Sequence, residues 1–297
     1  MKLSVVVTTL NDRESLVTCL DAIASQLPSE GELIVVNGPS TDGTTGTVRE
    51  RGDVDVLVEI SERTRSVARN AGIEAATGDA IAFVHPEYTV ESGWYTAIET
   101  ALATGADVLT GPLKRTDEAN VETDPVTIAG RSITMYTSGN VAFDRDVLDR
   151  LDGFDEYLTR SSTRDCAHRI ADAGYTVTWS GEMAVRGDPT GNSRTVDWGA
   201  RYRSLAYRLA KNYGPRPTVF GRTIASGLMD GFSDARGLIS GETTPTAWIR
   251  NGIDVVGNSV TGLKDGLVTR YRDRSIRRNP NGVSSRHDRA VQVYDRR

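Results

Sequence analysis

The sequence predicts an α/β fold with a mostly parallel central sheet flanked by helices, and three observations predict it. Apolar, β-branched runs of strand length recur at 3–9, 32–36, 54–60 and 80–84, as in strands buried on both faces. Between them lie segments of helical period: 13–25, with Leu16, Cys19, Leu20 and Ile23 on one stripe, and 66–76, with Ala68, Ala71, Gly72 and Ala75 on a small-residue face. The strands also empty into polar turns, Asn37-Gly38-Pro39-Ser40-Thr41-Asp42-Gly43-Thr44 after the second and His85-Pro86-Glu87 after the fourth. Strand and helix alternating at this spacing means βαβ units, and such sheets keep ligands at the carboxyl ends of their strands.

Each element follows in order. Asn11-Asp12 is placed to cap the helix at 13–25. Pro86, which lacks a backbone N–H, stops the strand at 80–84. A helix is expected at 93–103 and a strand at 107–110; 115–129 is polar and without period, and reads as a mobile loop. A strand at 138–143, a helix at 144–150 closed by Asp152-Gly153, a loop at 154–163, a helix at 164–173 ended by Gly174 and a strand at 175–179 complete a first domain, 1–190. Helices expected at 198–211, 219–239 and 249–271 form a helical extension, 191–268. The remainder, 269–297, holds nine arginines against three aspartates and reads as a flexible, solvated arm.

Composition narrows the function. Two cysteines, Cys19 and Cys166, match no metal or redox spacing and read as buried free thiols of a reducing compartment. The run at 3–7 is too short for a secretory leader, and no apolar run reaches the roughly 18 residues of a membrane span, so a cytoplasmic location is expected. Four of the 35 basic residues are lysine, and the net charge is −5; this arginine- and aspartate-rich composition fits a salt-adapted host. An acidic chain without a basic, aromatic-studded groove is not a nucleic-acid binder. The basic arm, by contrast, suits peripheral contact with an anionic membrane on its cytoplasmic face.

Several side chains carry candidate chemistry, each with a structural alternative. The turn at 37–44 can offer N–H groups and the Asp42 carboxylate to a nucleoside, or simply be a tight turn. Arg65 and Arg69, four apart on one helix face, either hold a diphosphate or make a solvated face. His85 and Glu87 either serve a ligand at the end of a buried strand or are loop residues. Asp165, expected to open a helix, is either an ionised carboxylate serving as a general base or a helix cap. His168, one turn on, packs or caps.

In this order the motifs resemble family 2 glycosyltransferases with the GT-A fold. The likeness covers about 3–186: Ser4-Val5-Val6-Val7-Thr8-Thr9-Leu10-Asn11 as opening strand, 32–44 as second strand and nucleoside turn, 65–72 with Gly78-Asp79, Gly139-Asn140, Gly153-Phe154-Asp155-Glu156, and Arg164-Asp165. The resemblance implies inverting transfer of a sugar from a nucleotide sugar, with Asp165 as base and Thr9, Asn11, Asn37, Asp42, Arg65, Arg69, His85 and Arg186 at the donor. His85-Pro86-Glu87 stands where the family has Asp-X-Asp, so Glu87, with His85, would hold Mn²⁺ or Mg²⁺. Arg186 falls where the family often has a histidine ligand, and an arginine there would neutralise diphosphate. The implied acceptor is a glycan or a polyprenyl- or dolichyl-phosphate-linked molecule. With the salt-adapted composition, the likeness points to a haloarchaeal member working in protein N-glycosylation. Two rivals remain open: a sugar-phosphate nucleotidyltransferase, for which the required Gly-rich basic loop is missing from 8–14, and a non-catalytic partner that keeps the fold.

Overall fold

The first strand explains the layout. In β1 (Leu3–Thr9) Val6 faces one side of the sheet while Val5 and Val7 face the other, and all three are fully buried. In this computed structural model, which describes residues 1–115, 124–187, 197–218, 221 and 245–297, β1 lies mid-sheet. It pairs in parallel with β2 (Glu32–Asn37) and with β4 (Ala80–Val84), Val6 opposite Ile34 and Phe83. β3 (Val56–Ile60) extends the sheet in parallel beyond β2. On the other side follow β10 (Asn140–Asp144), antiparallel to β4, then β6 (Val108–Thr110) and β11 (Val177–Trp179). β5 (Thr89–Val90), β7 (Leu113–Lys114) and β12 (Val185–Arg186) make a small second sheet.

Helices cover both faces, as runs of buried valine and isoleucine require. α1 (Arg13–Ala24), α2 (Thr44–Glu50) and α4 (Trp94–Ala103) pack Leu16, Cys19, Leu20, Val48, Trp94 and Ile98 on one side. α3 (Arg65–Ala75), α5 (Arg145–Leu151) and α6 (Ser162–Asp172) pack Val67, Ala71, Leu148, Cys166 and Ile170 on the other. The small face of α3 is a packing requirement: a Cβ at Gly72 would lie 2.4 Å from Val6 Cγ1. Both cysteines are buried free thiols.

Four sequence expectations change. α2 was not anticipated, because its Thr-Thr-Gly-Thr start reads as turn. The end of the expected loop at 115–129 pairs as β8 (Val126–Ile128) with β9 (Arg131–Ile133); 116–123, and the expected helix at 219–239 apart from residue 221, lie outside the described residues. α6 starts at Ser162, two residues early, so Asp165 sits one turn inside the helix. The expected flexible arm is ordered. After α7 (Trp198–Tyr213) and α8 (Pro245–Arg272), which pack together, the chain returns to the sheet, and β13 (Ala290–Asp295) pairs antiparallel with β3. The last residues thus complete the first domain's sheet.

Glutamates of that domain hold the arm. The fully buried Arg289 side chain meets Glu156 Oε1 at 2.5 Å and Glu74 Oε1 at 2.8 Å, and donates to the Gly282 carbonyl at 2.8 Å. Arg297 reaches buried Glu32 at 2.9 Å. Arg289→Ala takes a buried cation from two partly buried carboxylates and leaves Glu156 with Arg286 and Asn70 and Glu74 with His287; we expect a loss of about 2 kcal/mol, read by urea unfolding, with faster proteolysis at 283–297.

Candidate functional site

Strands β1, β2 and β4 end side by side and present Thr9, Asn37 and His85. Gly139 lets the chain before β10 pass close: a Cβ there would lie 2.5 Å from His85 Cβ and 2.9 Å from the Tyr88 ring. The His85 ring packs against Tyr88 with centroids 5.0 Å apart. Its Nε2 lies 3.3 Å from the Arg65 guanidinium, and its Nδ1 lies 3.3 Å from the Glu87 N–H and 3.8 Å from Glu87 Oε2. Burial, followed by the fields of Arg65 and Arg69, pushes its pKa down to about 3, so the ring is neutral.

The two arginines of α3 have different environments. Arg65 is exposed at the first turn, with its guanidinium over the cleft beside His85. Arg69 is buried between the rings of Phe83 and Phe154, 5.6 and 4.9 Å from their centroids. It donates to Thr163 Oγ1 at 3.2 Å, to Ser138 Oγ at 3.0 Å and to the Ser138 carbonyl. Burial, then Arg65, pushes its pKa down to about 10, which leaves it charged at neutral pH. No carboxylate forms an ion pair with either arginine among the described residues, and the nearest acid to the His85 ring is Glu87, at 3.8 Å.

The nucleoside turn is knitted to itself. Asn37 donates to Thr45 at 2.9 Å and accepts from Ser40 at 2.7 Å. Asn11, at φ 57°, accepts from Thr41 N at 2.8 Å, while its own N–H donates to Ser40. Asp42 accepts from Arg13 N at 3.0 Å and from the Thr44 hydroxyl at 2.6 Å. Burial would raise its carboxyl, but these hydrogen bonds outweigh it and hold the pKa below the usual range. Asn11, Asn37 and Asp42 therefore shape the rim. At the end of β1, Thr9 Oγ1 is buried without a hydrogen-bond partner among the described residues, so it has bonding capacity left for a water or a ligand. Asp12, expected as a helix cap, makes no side-chain cap hydrogen bond; it lies close enough to Asp42 and Arg65 to feel both, and burial raises its pKa.

The expected metal pair is incomplete on the protein side. A neutral imidazole has one lone pair in the ring plane, and here the Glu87 N–H and Arg65 both compete for it, so His85 is a poor ligand. Among the described residues no third His, Cys, Asp or Glu joins Glu87 and His85. A hard dication fits only with Glu87 as anchor and with substrate phosphates and water filling its shell, an arrangement usual for Mg²⁺.

Asp165 departs furthest from expectation. It is fully buried and faces Lys211 and Asn212 of α7. Its Oδ2 meets Lys211 Nζ at 2.7 Å and Arg169 Nε at 2.9 Å, and its Oδ1 accepts from Asn212 at 2.9 Å. Lys211 also meets buried Asp155 at 2.6 Å, closing a neutral quartet of two acids and two bases. Burial alone would raise the Asp165 pKa, but Lys211 and Arg169 drive it far down. Both of its carboxylate oxygens are engaged by these buried partners, the surroundings of a packing ion. The physical reason is the early start of α6, which presents Thr163 to Arg69 and Ser138 and turns Asp165 inward. Thr163 and Ser138 are thus site residues that the sequence reading missed; the one legible sign was the Ser161-Ser162-Thr163 run at a helix start. Arg186 is 74% exposed in the small sheet and pairs with Glu91 at 2.9 Å, not with the arginines of α3. It is nonetheless near Glu87, since a Cβ at its neighbour Gly187 would lie 2.5 Å from the Glu87 carbonyl.

Both buried histidines are neutral. His168 touches the Tyr213 hydroxyl through Nδ1 at 2.5 Å; burial, followed by Arg208, pushes its pKa down to about 3. A group whose pKa is lower folded than unfolded binds its proton more weakly when folded. Stability is therefore complete above about pH 6.5 and falls as the pH drops toward 3. The expected slope is up to about 1.4 kcal/mol per pH unit per histidine. Urea unfolding between pH 7 and 4.5 checks this, and His168→Gln should remove about half of the slope.

Comparison with known proteins fits this geometry. Residues 4–159 match glycosyl transferase family 2. Glycosyltransferase AglE of Haloferax volcanii is 26% identical over 61% of this chain, and succinoglycan biosynthesis protein ExoM of Rhizobium meliloti is 29% identical over 59%. The chain spans 64% and 60% of the lengths of those relatives. Among solved structures, S. aureus TarS 1-349 superposes with a TM-score of 0.62 at 19% identity, covering 94% of this chain and 88% of that fragment. A mannosyltransferase from Pyrobaculum calidifontis, in complex with GDP-Man and Mn²⁺, gives 0.57 at 18% identity, covering 92% and 88%. The fold is therefore GT-A, and the chain belongs to glycosyl transferase family 2.

Proposed function

We propose that this protein transfers a sugar from a nucleotide-sugar donor to a phosphate-terminated, lipid-linked acceptor in the assembly of a cell-surface glycan, such as that of protein N-glycosylation. The observation that carries this reading is the cationic strand-end cleft: Arg65 over neutral His85, with Arg69 buried behind, uncompensated by any described carboxylate in ion-pair contact. The complexes of relatives of this fold with UDP, and with GDP-Man and Mn²⁺, support a nucleotide-sugar donor. The diphosphate lies against Arg65, and the nucleoside end satisfies Thr9 Oγ1. Negative charge that develops on the leaving diphosphate is offset by Arg65 directly and by Arg69 through the dry interior. When bound, Mn²⁺ or Mg²⁺ at Glu87 would add Lewis-acid stabilisation of the leaving group. Arg186, at the rim beside the Glu87 loop, adds positive charge at longer range.

The surroundings of Asp165 support this choice of acceptor. With that carboxylate locked, an acceptor already ionised at neutral pH, such as a polyprenyl or dolichyl phosphate, needs no proton removed before it attacks. Inversion at the anomeric carbon is the matching stereochemistry, the phosphate oxygen entering opposite the leaving nucleoside diphosphate. The test is incubation of the full chain with labelled nucleotide sugars, Mn²⁺ and either a polyprenyl phosphate or a lipid ending in a sugar hydroxyl. Label on the phosphate lipid supports the proposal, and label only on the sugar-ended lipid overturns the acceptor assignment. Nucleotide binding without transfer to any acceptor favours the non-catalytic partner, a reading to which the buried Asp165 and the single-carboxylate metal position lend weight.

A further inference from the structure

We propose that the outward face of α8, with the arginine turn that follows it, lies on an anionic membrane surface. The inward face of α8 is committed to α7. A Cβ at Gly262 would lie 2.3 Å from the Arg203 carbonyl, and one at Gly266 would lie 2.4 Å from that of Tyr207, so the two helices touch backbone to backbone. Asp265 points the same way, to the Tyr157 hydroxyl at 2.5 Å and to Arg203 at 3.1 Å. The opposite face is different. Val256 is 65% exposed, Val260 62%, Val268 41% and Tyr271 72%, with exposed Lys264 in the same row. Positions 256, 260, 264, 268 and 271 are spaced by four, four, four and three, and so form one stripe along the helix.

Charge indicates what covers that stripe. Between 255 and 278 there are six basic residues and two acidic ones, in a chain whose net charge is −5. Both acids are engaged: Asp265 as above, and Asp273 by the N–H groups of Ser275 and Asn279 at 2.9 Å. Arg272, Arg274 and Arg277 are exposed beside Tyr271 and Ile276. A second copy seated on this face would bring like charges together. Anionic headgroups would meet arginine and lysine while the valines and Tyr271 enter the interfacial layer. No helix among the described residues is long and apolar enough to cross a membrane, so the helix lies on the surface. This moves the basic contact expected of the whole arm at 269–297 to its first ten residues, because the rest is folded against the sheet.

Co-flotation of the full chain with vesicles tests it. Binding is expected to phosphatidylglycerol–phosphatidylcholine vesicles and not to pure phosphatidylcholine, and it should fall as salt rises. The triple variant Arg272→Glu, Arg274→Glu, Arg277→Glu should lose on the order of 100-fold in partitioning. Val256→Asp with Val260→Asp should lose at least about tenfold, and nucleoside diphosphate binding by both variants should match the parent, showing them folded. Equal flotation with neutral vesicles, or no flotation of the folded parent at low salt, overturns the proposal. So does a valine variant that turns a dimer into a monomer by light scattering while floating like the parent, since the stripe would then be an interface between copies.

Discussion

Lys211→Met is expected to destabilise the protein by about 3–5 kcal/mol, the range found when one partner of a buried ion pair is removed. The ammonium is the sole cation that touches both Asp155 and Asp165 among the described residues, and all three side chains are fully buried. Methionine fills the space but leaves Asp155 with hydrogen bonds only, from Tyr207 at 2.8 Å, the Tyr157 N–H at 3.0 Å and Asn281 at 3.1 Å. A loss of this size lowers the midpoint of thermal unfolding by roughly 10 °C in a chain of this length, which calorimetry reads directly. The companion Asp165→Asn separates structure from chemistry. A lost general base would cost 10²–10⁴-fold in rate, roughly; a packing ion costs stability, with turnover per folded molecule expected to stay within about threefold.

Arg65→Ala is expected to weaken nucleoside diphosphate binding by about 10- to 100-fold, the equivalent of one or two charge-assisted hydrogen bonds. Stability should hardly change, because Arg65 is exposed and its described side-chain partner is His85, at 3.3 Å. Titration calorimetry with UDP and GDP, beside thermal unfolding, checks both halves. Arg69→Ala should show the reverse balance. Its loss uncovers the Ser138 and Thr163 hydroxyls and opens a void between Phe83 and Phe154, so stability falls with binding. Equal, small binding losses in both variants would remove the diphosphate from this cleft.

Much of the molecule was legible in the chain because it rests on local pattern. Valine-rich runs can only be strands covered on both sides, the small face at Ala68, Ala71 and Gly72 can only pack closely, and Pro86 stops a ladder wherever it falls. These rules place the parallel core, the strand-end location of the site, and Arg65 with His85 beside it. The side chains read singly fared otherwise, because a carboxylate's role depends on which way its helix turns. Asp165 lies two residues from where the site needs a group, and α6, by starting at Ser162, hands that position to Thr163 and gives Asp165 to a lysine 46 residues further on. The arm was misread for a related reason. Its arginines look solvated until three of them, Arg286, Arg289 and Arg297, are known to lie beside Glu62, Glu74, Glu156 and Glu32. By itself the sequence determined the fold, the family and the end of the sheet proposed for the chemistry. Only the tertiary structure decided which charges are spent on one another and which remain for a ligand, because ion pairing depends on distances between residues remote in the chain.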